Sequence, residues 1–391
     1  MKIWRFSNLF YNNMEANKNM SENNMTDSVL SHVGDGVRQI APYRPGRSAE
    51  EVAAERGVSD VIKLASNENP LGACDAAVLA LRELSGDSVS RYPDGGCRQL
   101  RTAVAKQLNV SQEELIFGNG SNEILELAAQ LMLSENDVAV YSQHAFLVYQ
   151  LAVAARRGKG IAVPAGDDYA HDLPALAECA IKNRARLIYI GNPNNPTGTW
   201  HSPQTIGEWM TQIPSDTLVV LDEAYREYVD GKCTLSSERF PNLLITRTFS
   251  KIHGLAGLRI GYGVGAPSLI DMLNRIRQPF NVGGAAQAAA AAAMNDFQHV
   301  ERSVSSNAAG MKEVAAGLDA LSLRRLPSRA NFITFCLDSA DNAGRVYEGL
   351  LDNGIIIRPL ADYGMPEWLR MTIGTESENK RFLDSLKRII K

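Results

Sequence analysis

The chain has 391 residues, 45% hydrophobic and 21% charged, a balance that fits a globular protein with one large and one smaller domain and excludes a disordered or fibrous one. Forty Lys and Arg against 44 Asp and Glu give a net charge of −4, and with no dense basic stretch nucleic acid is not an expected partner. Five scattered cysteines (Cys74, Cys97, Cys179, Cys233, Cys336) without a CxxC pair, and six dispersed histidines without an HExxH spacing, suggest neither disulfides nor a metal and fit a reducing cytoplasm.

The first stretch, "MKIWRFSNLFYNNMEANKNMSENNMTDSVL", is rich in Asn, Met and Ser and has no continuous apolar segment followed by a small-residue cleavage site. It does not read as a secretory signal. Residues 1–35 are expected to form a disordered or flexible tail, with Met14, Met20 and Met25 as alternative starts.

Short apolar runs then alternate with helical patterns. Strand-like "LIFG" (115–118) leads into "SNEILELAAQLML", whose Ile124, Leu125, Leu127, Ala128, Leu131 and Met132 recur at helical spacing. "VAVYS" (138–142), "RLIYIG" (186–191), "LVVLDEA" (218–224), "NLLITRTF" (242–249) and "RIGYGVG" (259–265) continue the alternation, which predicts an α/β layer with a mostly parallel sheet flanked by helices. A pattern break near 281–286 precedes the alanine-rich Gly283–Met294, too short and small-residued to span a bilayer and read as a core helix. "NFITFCL" (331–337), "GIIIRPL" (354–360) and "WLRMTIG" (368–374) read as a smaller α+β unit.

Ligands of such sheets bind at the carboxyl ends of the strands. "FGNGSNEI" is a glycine-rich turn entering a helix, either a phosphate site or a tight turn capped by Ser121 or Asn122. The third glycine of a dinucleotide fingerprint and the lysine of a P-loop are both missing from it. "GNPNNPTG" (191–198) surrounds its asparagines with prolines and glycines, which can hold Asn195 rigidly toward a ligand. Asp222 closes an apolar strand, where an unpaired carboxylate is costly, so it is expected to face a cation; a buried structural ion pair is the alternative. Tyr225, three residues on, can donate from the same side. Lys251 closes another apolar run and has either an exposed loop position or a chemical role. Together, a strand-end carboxylate, an activatable lysine, a phosphate cradle and a rigid asparagine are what pyridoxal phosphate requires.

From Pro42 onward the chain also resembles the fold-type-I pyridoxal-phosphate aminotransferases, and within them the histidinol-phosphate aminotransferase branch. The resemblance rests on "SNENPLG" (66–72), "RYPD" (91–94), "GNGSNEI", "NPNNPTG", "DEAY", "TFSKIHGLAGLRIGY" and "LRMTIGT", in that order, with 27 residues from Asn195 to Asp222 and 29 from there to Lys251. It implies the aspartate-aminotransferase-like fold, with residues 36–66 as an arm contributing to the small domain and to a dimer contact, 67–285 as the large cofactor-binding domain and 286–391 as the small domain.

The resemblance further implies that Lys251 carries the cofactor and shuttles a proton, that Asp222 pairs with the pyridine nitrogen, and that Asn195 and Tyr225 bond the phenolic oxygen. Ser121, Asn122, Thr248, Ser250 and Arg259 would bind the cofactor phosphate, and Phe146 would stack on the ring. Tyr92 would reach the phosphate of a neighbouring subunit, which implies a C2 homodimer with composite sites; a capped turn is its plain structural reading. Arg370 would grip an α-carboxylate, as in general aminotransferases, or help hold a substrate phosphate, as in the histidinol-phosphate branch; Arg358 would be a second phosphate-binding arginine, with a surface ion pair as its alternative, and Tyr43 and Asn195 would border the substrate. The implied activity is ping-pong transamination between L-histidinol phosphate and 2-oxoglutarate in histidine biosynthesis. The alternatives are an aromatic amino-acid aminotransferase and a threonine-phosphate decarboxylase. A DNA-binding regulator with an aminotransferase-like domain is disfavoured by the short leader.

Overall fold

The computed structural model describes residues 32–40, 46–229, 235–236 and 238–390. The chain divides into two units, Met1–Pro42 and Tyr43–Lys391. In the first, the described residues contain one short helix, Asp35–Gln39; most of the expected leader, and Tyr43, lie outside the described residues.

The second unit is organised around a seven-stranded sheet. In chain order the strands of this unit are β1 (Ile62–Lys63), β2 (Leu115–Asn119), β3 (Val138–Ser142), β4 (Lys159–Val163), β5 (Leu187–Gly191), β6 (Leu218–Asp222), β7 (Leu243–Thr248), β8 (Ile260–Gly265), β9 (Phe332–Cys336), β10 (Ile355–Ile356), β11 (Arg358–Pro359) and β12 (Trp368–Thr372). The large sheet runs β2-β8-β7-β6-β5-β3-β4. Its β4-β3-β5-β6-β7 portion is parallel throughout, and β8 is antiparallel to both its neighbours.

The continuous apolar runs of β5 and β6 follow from this placement, since both faces of each strand are covered. Successive residues go to opposite cores. Leu187, Tyr189, Leu218 and Val220 pack with the helices Gly120–Met132 and Leu147–Ala155. Ile188, Ile190, Val219 and Leu221 pack with the helices Leu173–Asn183 and Pro203–Met210 on the other face. The edge strand β4 was not legible as a strand: Lys159, Gly160 and Ala162 are exposed, so its sequence lacks the apolar continuity of the inner strands.

The chain winds outward from β3 to β4 and then returns to β5 on the other side of β3. This reversal opens the crevice in which doubly wound sheets hold ligands. The alanine-rich segment is the helix Gly284–Ala293, with Ala286, Ala289, Ala290, Ala291 and Ala293 buried. Among the described residues no helix is long and apolar enough to cross a membrane.

A second, three-stranded antiparallel sheet runs β11-β12-β9, and its apolar core includes residues of the helices Phe297–Ala320, Ala340–Asp352 and Glu376–Ile390. The stretch 354–360 forms two strands. Ile355 and Ile356 pair with β1, whereas Arg358 and Pro359 pair with β12. The apolar pattern alone cannot show that switch, because Ile355, Ile356 and Ile357 are all buried.

The turn after β7 depends on one glycine. Gly254 adopts φ +66°, its N–H donates to the Lys251 carbonyl at 3.0 Å, and a β-carbon there would overlap the Gly72 carbonyl oxygen. Gly254→Ala is therefore expected to cost about 1–3 kcal/mol, through a left-handed residue and a backbone overlap together. A lower midpoint in urea unfolding with an unchanged slope is the expected reading; an unchanged midpoint would show that the turn relaxes freely.

Candidate active site

Register brings the strand ends together. Gly191 lies opposite Asp222, and Asp222 opposite Thr246, so the loops after β5, β6 and β7 emerge side by side. They form walls of a cavity of about 400 Å³. Ser121, Asn122, Phe146, Asn195, Asp222, Tyr225, Thr248, Ser250, Lys251, Arg259, Arg358 and Arg370 all line it. Tyr92 does not: it is 83% exposed and stacks on Phe280, with ring centroids 4.7 Å apart.

Asp222 is buried at the end of β6. Its Oδ1 accepts from the Ala224 N–H (3.2 Å) and the Thr246 hydroxyl (3.3 Å), and its Oδ2 accepts from the Tyr149 hydroxyl (3.0 Å). The cation expected from the sequence is not among these partners, which are all neutral. Burial pushes the carboxyl up to about 6, against the lowering effect of the three hydrogen bonds. The adjacent carboxylate, Glu223, is instead taken up by Arg247 on β7, at 2.7 and 3.0 Å.

Lys251 shows the opposite shift. Burial, reinforced by Arg370, brings its ammonium down to about 8. Its Nζ donates to the Ser66 carbonyl at 3.0 Å and lies 5.8 Å from the centre of the Tyr225 ring. A lysine at this value presents a useful fraction of free amine near neutral pH, which a nucleophile or base needs.

An anion cradle lies at another wall of the cavity. The helix begins at Gly120 with Asn119 as its N-cap, so Ser121 and Asn122 occupy the first turn rather than the cap. The helix N-terminus and its free N–H groups favour negative charge. Arg259 donates to the Ala256 carbonyl (3.1 Å) and reaches the Ser250 hydroxyl (3.5 Å), and the Ser250 N–H donates to the Thr248 hydroxyl (3.0 Å). Gly120, at φ +74°, is the residue that lets the guanidinium approach: a β-carbon there would sit 2.6 Å from Arg259 Nη2.

The second sheet contributes two arginines. Arg358 on β11 and Arg370 on β12 are directly cross-strand, both are largely buried, and both line the cavity. Arg370 donates to the Asn195 side-chain oxygen and to the Ala65 carbonyl (2.7 Å). Because arginine only donates, the Asn195 amide must present its oxygen to Arg370, which keeps its NH2 for another acceptor. Arg358 lies 3.5 Å from Asp362, a partner that is mostly exposed.

Two residues of the site carried no role in the sequence reading. Asn67, inside "SNENPLG", donates from Nδ2 to the Tyr225 hydroxyl at 2.8 Å. Tyr149 holds Asp222 and follows Phe146 by three residues, one helical turn. That spacing was the only available signal for Tyr149, and a buried tyrosine in a helix ordinarily reads as core.

Comparison with known proteins accords with this geometry. Residues 59–386 match the family model for aminotransferase class I and II. The chain belongs to that family of pyridoxal-phosphate-dependent enzymes. Histidinol-phosphate aminotransferase 2 of Pseudomonas fluorescens is 45% identical over 372 residues, covering 94% of this chain and 99% of the relative. Histidinol-phosphate aminotransferase of Methylobacillus flagellatus is 48% identical over 363 residues, covering 91% and 96%. The crystal structure of histidinol-phosphate aminotransferase from Sinorhizobium meliloti in complex with pyridoxal-5'-phosphate matches with a TM-score of 0.85 at 27% identity, over 93% of this chain and 98% of that one. Aspartate aminotransferase from Thermus thermophilus with maleate shares the fold, with a TM-score of 0.76 at 20% identity over 90% of this chain and 98% of that one. Within the family the chain falls in the histidinol-phosphate aminotransferase branch. The residues present fit the cofactor: a buried carboxylate without a cation, an anion cradle at a helix N-terminus and a lysine of lowered pKa line one cavity.

Asp222 makes a stability prediction for the cofactor-free chain. Its pKa is raised from 3.8 to about 6, so the folded state holds the proton more tightly and stability falls as pH rises between those values. Asp222→Asn removes this cost. The cofactor-free variant is expected to exceed the parent by about 1–3 kcal/mol at pH 7, with the difference vanishing below pH 4. Urea melts across that range measure it, and a less stable variant at pH 7 would contradict the burial argument.

Proposed function

We propose that the chain transfers the amino group of L-histidinol phosphate to 2-oxoglutarate, giving imidazole acetol phosphate and L-glutamate, in histidine biosynthesis in the cytoplasm. The observation that carries this reading is the cross-strand pair Arg358 and Arg370, both lining the cavity that holds Lys251. Like charges directly opposite on a sheet are unfavourable unless an anion lies between them, and a phosphate dianion meets two guanidiniums well. The names of the relatives support the same substrate.

When bound, pyridoxal phosphate supplies an electron sink for a carbanion at the substrate's α-carbon. In our reading Lys251 Nζ would hold the cofactor's carbonyl carbon between turnovers and, when free, would take the proton from the substrate α-carbon and deliver it to that carbonyl carbon. Asp222 holds a proton at the ring nitrogen. The Asn195 amide and the Tyr225 hydroxyl, itself positioned by Asn67, donate to the phenolic oxygen. Phe146 stacks on the ring, and Ser121, Asn122, Thr248, Ser250 and Arg259 hold the phosphate. Tyr43 borders the substrate, and Tyr92 serves the site of a second copy in a homodimer. The large domain 67–285 and small domain 286–391 would meet at this cavity, with Arg358 and Arg370 as the small domain's contribution.

The test is a single half-reaction followed by cofactor absorbance, with L-histidinol phosphate and L-phenylalanine titrated separately. Conversion at much lower L-histidinol phosphate is expected. Arg358→Met should raise the concentration of L-histidinol phosphate needed by about 10–100-fold, the loss of one charge-assisted contact, while moving that for phenylalanine little. Preference for phenylalanine would overturn the substrate assignment and make Arg370 a carboxylate clamp. Release of CO2 instead of a keto product would identify a decarboxylase.

A further inference from the structure

Tyr149 is fully buried in the helix Leu147–Ala155, one turn after Phe146. Its ring lies 4.8 Å from that of Tyr189 with an interplanar angle of 3°, and Phe146 meets it edge-on at 5.9 Å. Tyr189 is in turn anchored by donating its hydroxyl to the Leu125 carbonyl at 2.5 Å. The Tyr149 hydroxyl is thus aimed by a rigid aromatic stack, and its acceptor is Asp222 Oδ2.

A carboxylate has about four acceptor positions, two on each oxygen. Oδ1 fills both of its own with Ala224 and Thr246, at the longer distances of 3.2 and 3.3 Å. Oδ2 has Tyr149 alone among the described residues, at 3.0 Å, which leaves its second position open. The open acceptor of this carboxylate therefore sits on the oxygen that Tyr149 controls.

We propose that Tyr149 is a positioning residue for the cofactor: it fixes the plane of the Asp222 carboxylate and so the direction in which Oδ2 is offered to the ring nitrogen. Through the same helical turn it ties the carboxylate to Phe146, so the groups assigned to the edge and the face of the ring are set by one rigid unit. The inference rests on reading Asp222 as the partner of the ring nitrogen, and it is independent of which amine is the substrate.

The ionisable groups around Asp222 are Tyr149 from that helix, Glu223 and Tyr225 from its own strand end, and Lys251 from the segment after β7. Glu223 is committed to Arg247. Of the hydrogen bonds that favour the ionised Asp222, the one from Tyr149 is the largest contributor.

Tyr149→Phe keeps the ring and removes only the hydroxyl. In the cofactor-free full chain, the midpoint of the folded Asp222 titration, read as the pH at which the stability loss relative to the matching Asp222→Asn protein levels off, should rise by on the order of one unit, because the ionised carboxylate loses a donor. In the holoenzyme, dissociation of pyridoxal phosphate should strengthen by about 10-fold, read from absorbance after dilution. Tyr189→Phe is the control: it breaks the bond to Leu125 but keeps the stacked ring, and should lower stability while moving the Asp222 midpoint less than Tyr149→Phe does. An unmoved midpoint in Tyr149→Phe, or an equal movement in Tyr189→Phe, overturns the proposal. Neither readout uses an amine substrate, so failure here is distinct from failure of the histidinol phosphate assignment.

Discussion

A carboxylate buried at the end of a central parallel strand is the constraint on which the rest of the site depends. Asp222 is covered by β5 and β7 on either side and has only neutral hydrogen-bond donors, so no ion pair is given to it among the described residues. Burial leaves the desolvation only partly repaid, and the cost appears as a pKa near 6. A cationic group in the cavity would reverse that cost. The neighbouring Glu223 makes the contrast plain: one position further along, a carboxylate in equally buried surroundings is fully paired with Arg247. Burial on its own does not leave a charge unpartnered; this fold leaves one at the cavity and satisfies the other.

The same logic runs through the cations. Lys251, Arg259, Arg358 and Arg370 line one cavity of about 400 Å³, an arrangement whose mutual repulsion is relieved by anions. Lys251 yields first: burial disfavours its ammonium, Arg370 and Arg259 add to that, and unlike a guanidinium it can lose its proton, so its pKa falls to about 8. The neighbouring positive charges that favour anions in the cavity thus add to burial in raising the lysine's free-amine fraction.

Rigid neighbours turn this electrostatic pattern into geometry. Asn194, in the loop after β5, is buried and donates to the His144 carbonyl and the Thr197 hydroxyl, while Arg370 sets the Asn195 amide. Asn67 orients Tyr225, and the Tyr149–Tyr189 stack supports Asp222. Several of the polar groups that face the cavity are thus held by a second contact behind them, which reduces the ordering left to be done when a ligand arrives.

Much of this was legible without coordinates. The inner strands β5, β6 and β7 read as apolar runs because parallel strands covered on both faces must be apolar, and the residues at their ends announced themselves as polar groups in costly places. Asp222, Lys251, Asn195 and the glycine-rich turn could be named from their places at strand ends, and Arg259 from the family resemblance. Local sequence could not identify the edge strand β4, the division of 354–360 between two sheets, or the N-cap at Asn119, because the apolar pattern does not specify which neighbour a strand pairs with. Nor could it assign Tyr149 or Asn67, since a buried tyrosine or a loop asparagine acquires meaning only from the group across from it. The chemical types in the site were thus determined by the sequence. Which donor faces which acceptor, and that Arg358 stands opposite Arg370, was decided by tertiary structure, because contacts between residues far apart in the chain are set by strand pairing and packing rather than by local preference.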